Sequence, residues 1–253
     1  MQTALAQSSN QPQTPSASLC AMITEDSRDI RKALELRYRV FGEDMGAQFK
    51  GGESGIDRDH FDDVCHHLIV KDEFSGDVVG YSRIITSDML HLTGGFYTQT
   101  EFDLSRILQP GKRYMEIGRT CVDGDFRSGA VIALLWARLG QFIQDHNIDY
   151  LMGCASIPFN DGPKALAVID YLRANHFVED AKRVVPKHPL PHLEVHADGK
   201  SLLPALLKAY LRMGCKVCGE AHWDKAFNVA DVVVLLARED INQRYLKHFM
   251  RAA

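Results

Sequence analysis

The sequence predicts an α/β fold with a central mixed sheet flanked by helices, and three observations carry that expectation. Apolar runs of strand length alternate with helical periodicities along most of the chain. A hairpin, a strand, a helix and another strand succeed one another with short turns between them. The 253 residues are 45% hydrophobic and 25% charged, an ordinary globular mix that can bury a core without staples.

The elements follow in order. Residues 1–21 are rich in Gln, Ser, Thr, Pro and Ala. They read as a disordered tail, with neither the basic start nor the apolar core of a secretory signal. Residues 22–253 show no repeat and no linker, so they are expected to form one domain. Ser27 is placed to cap a helix running to about Met45, with Ile30, Leu34, Val40 and Phe41 near one face. A Gly-, Asp- and Ser-rich loop spans 46–63. His67 to Lys71 and Val78 to Thr86 read as a hairpin around Glu73–Asp77, and a loop or short helix covers Ser87 to Gly111. Tyr114 to Val122 is a strand, and Asp123 to Ser128 a polar loop. Gly129 to His146 is a helix burying Ile132, Leu135, Trp136, Leu139 and Ile143. A strand over Asp149 to Ile157 and a helix over Pro163 to Ala174 come next. Pro186, Pro189 and Pro191 make the following segment irregular or an edge. Pro204 suits the first turn of a helix that Gly214 ends. Lys216 to Trp223 and Asp231 to Ala237 are strands, and Glu239 to Phe249 a last helix.

The net charge of −4 argues against general nucleic-acid binding, which rests on Lys and Arg neutralising phosphates. The six cysteines are scattered, mostly in apolar runs, which reads as reduced thiols in a cytoplasmic protein. Cys215 and Cys218 form one CxxC without a second ligand pair, so they are expected to pack. His188, His192 and His196 have helical metal spacing, but Pro189 and Pro191 break a helix there. No metal is expected. No apolar run is long enough to span a bilayer.

Chemistry concentrates between Glu116 and Trp136. A strand enters a short Gly-containing loop and then a helix, whose free N–H groups and positive dipole end suit a phosphate. Arg127 adds a cation. Glu116 and Arg119 are charged residues inside an apolar strand, and strict alternation would point them to opposite faces. A bulge at Gly118 would bring both to one cleft, where a carboxylate can take a proton from an ammonium.

This strand, loop and helix resemble the acyl-donor core of the GNAT acyltransferase superfamily, which implies a GNAT-like acyl-CoA N-acyltransferase fold. Arg127, Gly129 and Ala130 match its phosphate loop. Arg37, Phe41, Asp59, Asp62, Arg83, Glu116 and Arg119 match the acyl-homoserine-lactone synthases, which use acyl carrier protein as donor. The runs 116–122, 127–136 and 204–214, with Asp224, Phe227 and Asp231, resemble the bacterial ornithine acyl-carrier-protein N-acyltransferases of ornithine lipid synthesis.

The resemblance implies transfer of a 3-hydroxyacyl chain from acyl carrier protein to the α-amine of ornithine by direct aminolysis of the thioester. An N-acyl amino acid synthase for glycine, lysine or another amine is the runner-up. A lactone synthase and a non-catalytic carrier-binding module stay open. In this reading Glu116 accepts the proton or positions the amine, and Arg119 and Arg83 orient the substrate carboxylate through bidentate contacts. Arg37, Phe41, Asp59, Asp62 and Arg83 bind the amino acid. Cys121, Val122, Arg127, Ser128, Gly129 and Ala130 hold the donor's phosphopantetheine arm, with backbone N–H groups near Cys121 and Val122 receiving the oxyanion. The structural alternatives are a surface ion pair for Glu116 and Arg119, a salt bridge for Arg83, core packing for Phe41 and a solvated acidic loop for Asp59 and Asp62. Lys112, Arg113, Lys182, Arg183 and Lys187 are candidates to receive the acidic carrier, or plain surface. A lipid product implies contact with the inner membrane surface, for which residues 202–213 offer an amphipathic helix.

Overall fold

Nine-residue strands that are apolar on both faces dictate a sheet covered on both sides. The computed structural model describes residues 18–47, 49, 54–191 and 197–242. Its strands are β1 (Leu19–Thr24), β2 (His66–Asp72), β3 (Val78–Thr86), β4 (Phe102–Asp103), β5 (Tyr114–Val122), β6 (Tyr150–Pro158), β7 (Val185–Pro186), β8 (Lys216–Val217), β9 (His222–Asp224) and β10 (Val229–Ala237). Among the described residues the main sheet runs β1-β2-β3-β5-β6-β10-β8, with β9 also on β10, while β4 and β7 pair separately. All its pairings are antiparallel except β5 with β6.

The helices are α1 (Ser27–Arg37), α2 (Leu90–Thr93), α3 (Thr98–Glu101), α4 (Ala130–Asp145), α5 (Gly162–Asn175) and α6 (Ala205–Met213). Leu135, Trp136 and Leu139 of α4, Leu172 of α5 and Leu207 of α6 share one core with Met115, Ile117 and Val232 of the sheet. Ala33 and Leu36 of α1 cover the opposite face over Ile69 and Tyr81. Phe96, Phe102 and Leu104 continue that second layer over Ile85, Tyr114 and Val233. Gly80 lets α4 approach β3, since a Cβ there would lie 2.3 Å from Val131 Cγ1.

Several expectations change. The chain is already a strand at Leu19, inside the stretch expected to be tail, because β1 completes the open edge of β2. Asp26, not Ser27, caps α1, its carboxylate accepting from the Arg28 N–H. The helix ends at Arg37 and widens into a π-helical turn over Tyr38–Asp44. The strand expected over Lys216 to Trp223 is two short pieces, because Gly219 takes a φ of 129° between them. Cys215 and Cys218 are buried and free, as packing residues. Gly214, at φ 111°, terminates α6 as the sequence requires. Most of the expected tail, His192 and His196, and the last helix beyond residue 242 lie outside the described residues.

Candidate functional site

The site follows from one irregular pairing. β5 and β6 are in register only from Tyr114–Tyr150 to Glu116–Met152. Beyond that the two strands part. Gly153 sits at the fork, where an added Cβ would lie 2.3 Å from the Ile117 carbonyl oxygen. On the other side of β5 the register with β3 slips between Tyr81 and Arg83, so β5 carries one extra residue there. Arg119 takes a left-handed φ of 52°, the strain expected of a bulge. The kink is thus at Arg119 rather than Gly118. Before it, Tyr114 faces the second layer and Met115 the first; after it, Cys121 faces the α1 side. Arg119 therefore turns to the same face as Glu116, and both line one cavity.

That cavity has a volume of about 280 Å³. Phe41, Tyr97 and Phe227 give it aromatic walls, and Cys154, Ser156 and Asp231 come from β6 and β10. The Arg119 guanidinium lies 4.8 Å from the Tyr97 ring centroid and 5.1 Å from that of Phe227. Its acidic neighbours are long ion pairs, Asp57 at 3.5 Å from Nε and Asp59 at 3.4 Å, and among the described residues the buried Nε makes no hydrogen bond. Asp224 and Asp231 also line the cavity, and a carboxylate oxygen from each of them and from Glu101 lies within 4.8 Å of the others. Burial pushes the Glu101 carboxyl up to about 8, with Asp231 and Asp224 pushing the same way. Burial raises Asp231 to about 6, against the Ser156 hydroxyl, which donates at 2.6 Å.

Glu116 is occupied. Its Oε2 accepts the Tyr97 N–H at 2.7 Å, and its Oε1 accepts both the N–H and the hydroxyl of Thr98. The carboxylate caps α3 and fixes the turn that carries Tyr97 and Glu101. Burial still pushes its pKa up, the three donors pulling the other way.

Arg37 and Asp62 meet beneath the cavity, where Arg83, which lines it, joins them. Arg37 Nη1 reaches Asp62 Oδ1 at 2.6 Å, and Arg83 Nη1 reaches the same atom at 3.1 Å and Asp59 Oδ1 at 2.6 Å. Arg37 is also paired with Asp57. Asp59 and Asp62 form a reciprocal capping box around residues 60–63, not a solvated loop. This network positions the Asp59 carboxylate and the Phe61 and Tyr97 rings against Arg83. Of the amino-acid-binding residues expected from sequence, Phe41 and Arg83 line the cavity; Arg37, Asp59 and Asp62 support it.

The loop expected to hold the donor lies outside the cavity. Arg127 donates to the Val122 carbonyl at 3.2 Å and pairs with Asp44 at 2.6 Å. Ser128, Gly129 and Ala130 are exposed at the start of α4, where Gly129 (φ 100°) leaves the first N–H groups without a side-chain cap. Cys121 and Val122 are buried, paired with Tyr81 and Gly80 on the β3 side. Burial pushes the Cys121 thiol up to about 12 and the Cys154 thiol well above its ordinary value, so neither is a ready nucleophile. Among the basic surface residues, Lys112, Lys182 and Arg183 each face an acidic neighbour, and Lys187 donates to the Gln99 carbonyl.

Glu101 and Tyr97 escaped the sequence reading. They lie in a polar stretch with no periodicity, and only folding brings them to the site. Asp231 left a signal, a lone carboxylate between Ala230 and Val232 in a buried strand.

The Acetyltransferase (GNAT) domain family model matches residues 36–137. An L-ornithine N(alpha)-acyltransferase of Rhizobium meliloti (strain 1021) is 33% identical over 250 residues, which cover 92% of this chain and 84% of the relative. The enzyme of the same name from Agrobacterium fabrum (strain C58) is 32% identical over 244 residues, 90% of this chain and 83% of the relative. A CoA-dependent acyl-homoserine lactone synthase solved with MTA superposes at a TM-score of 0.58 and 14% identity, covering 93% of this chain and 89% of that one. The AHL synthase LasI does so at 0.57 and 14%, covering 92% and 96%. These two likenesses establish a shared fold.

Proposed function

The chain belongs to the L-ornithine N(alpha)-acyltransferase family, and from that premise we propose that it transfers a 3-hydroxy fatty acyl chain from acyl carrier protein to the α-amine of L-ornithine. The observation that carries this reading is the polarity of the cavity. The cavity at the fork of β5 and β6 is lined by the Arg119 guanidinium and by the carboxylates of Asp224 and Asp231. A zwitterionic acceptor with a second ammonium matches that arrangement. Arg119, whose guanidinium lines the cavity, meets the substrate carboxylate, and Asp224 and Asp231 face the ammonium side.

The reaction needs a neutral amine, a positioned thioester and donors for the oxyanion. The thioester is already activated, so attack is direct and no thiol of the protein takes part. The donor arm enters along the fork. Its phosphate meets Arg127 and the N–H groups at the start of α4, while the unladdered edge of β5 beyond Glu116 presents backbone N–H groups to the carbonyl. No metal enters this scheme. The product is a lyso-ornithine lipid. Among the described residues no helix is long and apolar enough to cross a membrane, and the amphipathic α6 is our candidate for contact with the inner membrane surface of the cytoplasm.

The test is incubation of the purified protein with ornithine and long-chain acyl carrier protein, following free thiol and product mass. Stoichiometric thiol and N-acylornithine are expected. No thiol release across several acyl lengths would sink the proposal. Acyl-CoA of matched length, run in parallel, decides the donor.

A further inference from the structure

The aminolysis proposed above starts from an ammonium and ends in an amide, so the nitrogen sheds two protons. One leaves before attack, to an acceptor in the site. The other leaves as the N–C bond forms and the C–S bond breaks, and goes to the departing thiolate. Glu116 is poorly placed to be the first acceptor. Three donors already occupy its oxygens, and protonating it would release the turn that holds Tyr97.

Asp231 is different. It lines the cavity, is 4% exposed, and accepts from one protein donor, Ser156. Glu101 lies directly behind it, 5% exposed, and receives only a long contact from the Cys154 thiol at 3.4 Å besides its neighbour Tyr97. Asp231 faces Glu101 from α3, Asp224 and His222 from β9, Cys154 from β6 and Arg119 from β5. His222 is held neutral by burial and by His188. Arg119 is the one positive group among these, and it is shared with Asp57 and Asp59. Two buried carboxylates this close, Glu101 and Asp231, do not both ionise readily.

We infer that Glu101 and Asp231 hold one proton between them, and that Asp231 takes the next from the substrate ammonium. Asp231 is then the catalytic acceptor, and Glu101 a positioning residue that holds the shared proton against it. The pair returns the proton to solvent after the product leaves. This rests on the ornithine reading, and it assigns the proton transfer to a residue other than Glu116.

The experiment is the pH profile of kcat and KM with ornithine and a saturating acyl donor. For the unmodified enzyme the rate falls below pH about 6 as Asp231 protonates. Asp231→Asn lowers kcat about 10²- to 10⁴-fold near neutrality. Its rate then climbs about tenfold per pH unit towards the pKa of the amine, because solution now supplies the neutral form. Glu101→Gln removes the shared proton and shifts the acidic limb set by Asp231. Should Asp231→Asn fail to fold, Asp231→Glu keeps the carboxylate and is expected to retain a shifted acidic limb. A raised KM with unchanged kcat in Asp231→Asn would reduce the residue to ammonium binding and overturn the inference, as would a pH-independent loss. A divalent cation would use the same three carboxylates; loss of activity on chelation, restored by the metal alone, also overturns it. If the unmodified enzyme makes no N-acylornithine, the underlying reading fails instead.

Discussion

Asp62→Asn removes the carboxylate that sits between two buried guanidiniums. Asp62 Oδ1 accepts from Arg37 at 2.6 Å and from Arg83 at 3.1 Å, while Oδ2 accepts the Asp59 N–H at 2.8 Å. Burial alone would push this carboxyl up, but Arg37 and Arg83 outweigh it and hold it down at about 2, from an ordinary 3.8. That difference corresponds to about 2.5 kcal/mol of stability at neutral pH. Removing one partner of a buried network costs about 3–5 kcal/mol, because the remaining charge stays buried. Asp57 and Asp59 still hold Arg37 and Arg83 here, so the lower end applies, about 3 kcal/mol. At about 2–4 °C per kcal/mol for a chain of this size, Tm falls by about 6–12 °C. The sign with pH follows from the depressed value. The contribution is full above the unfolded pKa near 4 and is lost as pH falls through about 2. Thermal melts of both proteins at neutral pH and at pH about 2–4 measure it. A gap under about 2 °C at neutral pH, or one that does not narrow on acidification, would refute the network's role.

Three further outcomes are expected. Arg119→Lys keeps the charge but loses the planar fork, so the KM for ornithine rises about tenfold with the donor KM unchanged, checked by steady-state kinetics in each substrate. Arg127→Ala does the reverse, raising the donor KM and sparing that for ornithine; equal effects on both would place the donor arm elsewhere. Glu116→Gln leaves one of the Tyr97 or Thr98 N–H groups without an acceptor, costing about 1–3 kcal/mol in a denaturant titration, and a Tm equal to the parent's would contradict the capping role.

The long elements were legible because their signals are local. The period of Leu135, Trp136, Leu139 and Ile143 marks α4, and the apolar runs mark β3, β5 and β10. β1 was read partly as tail because its pairing with β2 joins residues 19–24 to 67–72 across the sequence. The cleft shared by Glu116 and Arg119 was anticipated from their charge, but its cause was assigned to Gly118. The left-handed residue is Arg119, whose strain is offset by contacts with Tyr97, Phe227, Asp57 and Asp59 that exist only in the fold. Arg37, Asp62 and Arg83 stand out in the sequence through the family resemblance, which implies substrate binding, while in the fold they pair with one another and with Asp57 and Asp59. Whether such a charge meets a substrate or a neighbour depends on contacts between residues 20 to 60 positions apart. Glu101 carried no local signal, since α3 is four residues long and is defined by the Glu116 carboxylate that caps it.

The most direct test of the account is the position of the new amide. With ornithine and 3-hydroxyacyl carrier protein, tandem mass spectrometry of the product should locate the acyl chain on the α-nitrogen, with one free thiol per amide formed. Acylation at the side-chain nitrogen, or thiol release without an ornithine amide, would contradict a site in which Arg119 holds the carboxylate and Asp224 and Asp231 receive the ammonium.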